Sequence, residues 1–79
     1  MKYVKKPEVI EALQFTGNDM ECMDFCPIAF DPMNGFPELV IRHEGGGETK
    51  VVMGDYICKD DGDFFVLRPA YFEKNYEVV

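Results

Sequence analysis

A chain of 79 residues, 47% hydrophobic and 14% aromatic, holds enough apolar material for one core and excludes both disorder and a second domain, because a domain of this size buries only about 60% of its unfolded surface. The formal charge is −7, and Lys2, Lys5 and Lys6 are three of the eight basic residues, so the rest of the chain sets five bases against fifteen acids. A surface of that sign repels phosphate backbones and argues against direct nucleic-acid binding.

No apolar run approaches the roughly 18 residues that cross a bilayer, and the N-terminal lysines are followed by Pro7 and Glu8 rather than by a signal-peptide apolar stretch. The expected protein is therefore a single cytosolic domain spanning residues 1–79, without membrane contact.

From Glu8 to Phe15 both parities carry apolar residues, Val9, Leu13 and Phe15 on one and Ile10 and Ala12 on the other, which is the pattern of a central strand. Glu11 falls between Val9 and Leu13, an awkward place for a carboxylate unless it meets a cation, serves a site or lies near a sheet edge. Asn18-Asp19-Met20-Glu21 reads as a capping box opening a helix over about 19–26, with Cys22, Phe25 and Cys26 as its apolar stripe and Pro27 as its end. The segment from Pro27 to Pro37, with Asn34-Gly35 inside it, is an expected irregular loop.

Three strands are expected next as a meander, over 39–43, 49–53 and 56–59, the first two joined by Glu44-Gly45-Gly46-Gly47-Glu48 and the last two by Gly54-Asp55. Asp61-Gly62, set between Tyr56-Ile57-Cys58 and Phe64-Phe65-Val66-Leu67, is the strongest hairpin signal in the chain. Pro69 opens a short helical turn over about 69–74, and Tyr76-Glu77-Val78-Val79 is expected to return as a final strand. The fold class is α+β: a small, strongly bent antiparallel sheet or half-open barrel of five to six strands with one main helix.

The chain is poor in catalytic patterns. Cys22, Cys26 and Cys58 match no zinc spacing and read as free core thiols. The three consecutive glycines lack the Lys-Ser/Thr and helix of a phosphate loop, and Asp60-Asp61-Gly62-Asp63 lacks the twelve-residue frame of a calcium loop. His43 has no nucleophile that spacing assigns to it. Arg68 beside Tyr71 and Phe72 is the one basic and aromatic cluster in the folded part, an arrangement that can hold small anionic or aromatic ligands. Glu11, Gln14, Arg42, Arg68 and Tyr71 are accordingly the candidate binding residues, and no catalytic residue, metal or cofactor is expected.

Lys5-Lys6-Pro7-Glu8-Val9-Ile10-Glu11-Ala12-Leu13-Gln14-Phe15-Thr16-Gly17 resembles the N-terminus of a family of small, uncharacterised tailed-phage and prophage proteins that reads KKPVVVEAVQWTG. Met53-Gly54-Asp55-Tyr56-Ile57-Cys58-Lys59 is similar to that family's PGDYIIK, and residues 62–77 are similar to its GEFYPCKPDIFEKTYE. Phe15 stands in place of a tryptophan, Met53 of a proline, Leu67 of a cysteine and Arg68 of a lysine. The resemblance implies a phage or prophage origin and, with it, the host cytoplasm as a setting.

On these grounds the expected function is a non-enzymatic phage accessory protein that binds a host component, as an inhibitor or a small-ligand-sequestering module. A virion structural or assembly protein is the alternative, and a small hydrolase using Glu11 or His43 ranks third. The expected partners are a second copy of the chain and either a host protein or a small anionic ligand. Any pocket in so small a chain is expected between protomers, beside Arg68.

Overall fold

A computed structural model describes residues 1–3 and 9–77. Six strands and two helices follow in the order β1 (Glu11–Gln14), α1 (Asp19–Phe25), β2 (Ala29–Phe30), β3 (Glu38–Arg42), β4 (Glu48–Val52), β5 (Tyr56–Asp60), β6 (Asp63–Leu67) and α2 (Pro69–Asn75). The fold is α+β and mostly β, as its strand patterns indicate. The strands form two three-stranded antiparallel sheets, β1-β5-β6 and β2-β3-β4, that do not close into a barrel. The molecule is elongated, with principal extents of 52 × 27 × 18 Å. No helix among the described residues is long and apolar enough to cross a membrane.

The hairpins form where turn chemistry requires them. Asp61 and Gly62 both have positive φ, 51° and 86°, the backbone of a type I′ turn, and they join β5 to β6 in the register Asp60 to Asp63. The glycine-rich tip joins β3 to β4, closed by the His43 N–H donating to the Gly47 carbonyl at 2.7 Å. The expected meander, by contrast, breaks after β4. Gly54-Asp55 does not fold β5 back onto β4 but carries the chain from one sheet to the other, so that β5 pairs with β1 and β6.

β1 is an edge strand rather than a central one. Its two apolar parities have separate causes. Leu13, in register with Ile57 and Val66, packs toward the main core. Ile10 and Ala12 instead line a cleft on the opposite face, under α2. Glu11 is exposed and stands directly across from Lys59, which resolves its position between apolar neighbours.

α1 begins and ends as its sequence indicates, but its start is not a capping box. Asn18 makes no side-chain bond to a helix N–H. Its Oδ1 accepts from the Thr16 N–H at 2.9 Å, and its Nδ2 donates to Glu21 at 3.0 Å. The expected loop after Pro27 contains the two-residue strand β2, which pairs with β3 through Ala29 and Ile41. Tyr76 and Glu77 lie outside any strand, and Val78 and Val79, with the Val4–Glu8 segment that includes Lys5 and Lys6, lie outside the described residues.

One core joins the two sheets. Ile57 from the first, Ala29, Leu39, Ile41 and Val51 from the second, Cys22 and Cys26 from the helix and its cap, and Phe15 after β1 form a single buried cluster. The first sheet's outer face is partly covered. Ala12, Cys58 and Phe65 share that face with Tyr56 and Leu67, Cys58 is fully buried, and α2 returns across it so that Phe72 stacks on Tyr56.

Candidate functional site

The turn between the sheets gathers most of the polar structure. Asp55 is the only buried charged residue among those described, 1% exposed. Its carboxylate accepts from the Val52 N–H at 3.1 Å and from Arg68 Nη1 at 2.5 Å. Its backbone carbonyl accepts from the Phe15 N–H at 2.8 Å, while the Gly54 N–H donates to Phe15 at 2.7 Å and the Gln14 side-chain amide donates to the Gly54 carbonyl at 3.1 Å. Gly54 has φ +95°, and a Cβ there would lie 3.7 Å from Pro69, so the turn needs a residue that adopts the left-handed region freely. A buried carboxylate satisfied by a guanidinium and a backbone N–H is a bracing device that ties the end of β4, the crossover and the residue before α2 together, while the bonds to Phe15 and from Gln14 hold β1 to the same turn.

The candidate residues thus divide into separate groups. Gln14 and Arg68 meet at the crossover. Glu11 stays at the outer end of β1. Arg42 belongs to the other sheet, where it pairs with Glu48 at 3.3 Å and lies 4.9 Å from the centre of the Phe30 ring. Tyr71 is 57% exposed on α2, whereas its neighbour Phe72 is turned inward onto Tyr56. His43 is occupied as well, its Nε2 sharing a 2.8 Å hydrogen bond with Thr49 Oγ1.

A cleft of about 510 Å³ opens beside β1, within one chain and not beside Arg68. It is lined by Val9, Ile10 and Ala12 from β1 and the residues before it, by Tyr56 from β5, and by Phe72, Glu73, Tyr76 and Glu77 from α2 and the residues after it. The volume lies within the range of ordinary small-ligand sites. Its aromatic wall is ordered: the Tyr56 and Phe72 rings are stacked with centroids 3.9 Å apart and planes 13° apart, and Phe72 and Tyr76 follow at 5.1 Å and 17°. The Tyr56 hydroxyl donates to Glu73 at 3.5 Å.

Sequence reasoning passed over Asp55, Tyr56, Glu73, Tyr76 and Glu77 as site residues and placed Phe72 in a cluster with Arg68 rather than in this cleft. The signal for the aromatic wall was the spacing of Phe72 and Tyr76, four apart across the last helical turn. What could not be read was that Tyr56, sixteen positions earlier in the chain than Phe72, completes it.

Chemically the cleft combines apolar and acidic groups. It presents rings, aliphatic side chains and two carboxylates. The thiols lie elsewhere in character: all three cysteines are free and buried, and burial pushes Cys22 and Cys58 each up to about 11 and raises Cys26 as well. They are protonated at neutral pH and poor nucleophiles. Among the described residues no group of three or more His, Cys, Asp or Glu side chains is placed to hold a metal ion. Comparison of the chain with protein-family models, curated proteins and solved structures gives no match.

Proposed function

We propose that this chain is a non-catalytic phage accessory protein that acts in the host cytoplasm by capturing a host component in the cleft between β1, β5 and α2. The observation that carries the reading is the cleft itself: an ordered stack of three rings lining it together with aliphatic side chains, a surface suited to holding a ligand. The resemblance of residues 5–17, 53–59 and 62–77 to the phage family supports the setting, and the burial of the thiols and the engagement of His43 with Thr49 support binding rather than nucleophilic chemistry.

The test is retention of host proteins and metabolites from a lysate by the wild-type chain and by Ala12→Trp, which fills the cleft from an exposed strand position. The expected result is one component retained by the wild type and lost by the variant, together with a cleft-dependent gain in phage growth on a defended host. Retention of nothing, unchanged phage growth, or the protein's presence among the structural proteins of purified particles would count against the proposal.

The proposal includes a symmetric homodimer packed on α2 through exposed Tyr71. Light scattering is expected to give twice the 9.1 kDa chain mass for the wild type and the monomer mass for Tyr71→Glu.

A further inference from the structure

The cleft carries a charge pattern that its apolar walls do not require. Glu73, on the last turn of α2, and Glu77, just beyond the helix end, both line it, and among the described residues its lining contains no lysine or arginine. Among the described residues the ion pairs are Arg42 with Glu48 and Arg68 with Asp55, so neither cleft carboxylate is paired with a cation there. Glu73 has the Tyr56 hydroxyl as its hydrogen-bond partner. The ring faces that the stack leaves uncovered, at its Tyr56 and Tyr76 ends, are negative in their quadrupole and attract cations. The chain as a whole, at −7, adds a field of the same sign.

We infer that the cleft, taken as the recognition surface proposed above and resting on that reading, receives a lysine or arginine side chain from a basic peptide segment of a partner protein. The ammonium or guanidinium group would sit between the Glu73 and Glu77 carboxylates. Its methylene stem would lie along Tyr76 and Phe72 on one side and Ile10 and Ala12 on the other, as long basic side chains do when they bury their stems and keep their heads polar. The cleft is open to solvent, which admits a side chain projecting from a peptide that crosses the surface. The cleft is also wider than one such side chain needs, leaving room for an apolar neighbour on the same peptide.

The probe is an end-capped peptide, Gly-Leu-Arg-Leu-Gly, followed by amide NMR shifts and compared with the same peptide carrying neutral citrulline for arginine and with free argininamide. The arginine peptide is expected to shift the amides of Tyr56, Phe72 and Tyr76 and to bind about fivefold more tightly than the citrulline peptide at low salt. Glu73→Gln with Glu77→Gln should abolish that preference, as should added salt. Tyr76→Leu, which keeps the apolar contact and removes the ring, should reduce it. Equal binding of both peptides at the cleft would overturn the inference while leaving the recognition surface standing. Argininamide binding as tightly as the peptide would overturn the choice of a peptide. Absence of cleft shifts with any probe would overturn the inference as well, and the Ala12→Trp capture experiment then decides the function by itself.

Discussion

Asp55 and Arg68 form an unequal pair. The carboxylate is 1% exposed and the arginine side chain 66%, so removing one partner does not mirror removing the other. Asp55→Ala strips the Val52 N–H of its acceptor and disconnects the crossover, with an expected cost of about 2–3 kcal/mol. Arg68→Ala leaves that backbone bond in place and opens the carboxylate to water, with an expected cost of about 1 kcal/mol. Against a total stability on the order of 5–15 kcal/mol, urea unfolding resolves the two. A larger loss for Arg68→Ala would show that the guanidinium, and not the backbone bond, carries the turn.

The cysteines give a pH dependence of definite sign. Burial raises Cys22 and Cys58 from 9.0 to about 11 in the folded chain, so between those values the folded state holds protons that the unfolded state has released. Stability is therefore full below about pH 9 and falls as pH rises toward about 11. Melting temperatures measured from pH 7 to pH 11 should drop less steeply for Cys58→Val than for the wild type. Equal slopes would mean that the thiol is not held in its neutral form.

At the scale of elements, local chemistry was legible and pairing was not. Asp61-Gly62 dictates its own hairpin through positive φ, and Pro27 ends α1, because both effects act within a few residues. β1 was misread as central because Ile10 and Ala12 are apolar, and parity does not distinguish a second sheet layer from a helix returning over the face. The meander was misread at Gly54-Asp55 for a similar reason: a two-residue turn signal announces a change of direction without saying which strand lies alongside afterwards. Asp55 looked like a turn residue, and its burial depends on Arg68 and Phe15, which are distant in the chain. Of the candidate residues, Gln14 and Arg68 share the crossover. Arg42 ends β3, which belongs to the other sheet, on the far side of the crossover.

For the whole molecule, the crossover fixes an order of assembly. The β3–β4 and β5–β6 pairs close through short turns, whereas β1 must find β5 across half of the chain, as the Gln14 to Gly54 bond shows by joining residues 40 apart. The entropy of closing so long a loop is lost before the strand gains its contacts. Folding should then begin in the hairpins and end with β1, so Leu13→Ala should chiefly speed unfolding, while Val66→Ala in β6 should also slow folding, as stopped-flow chevrons would show. A strand that joins last is also the one that leaves first. Since β1 is one side of the cleft, the affinity of any occupant includes the free energy of keeping that strand in place, and binding should slow hydrogen exchange at Leu13 more than at Val51 on the far sheet.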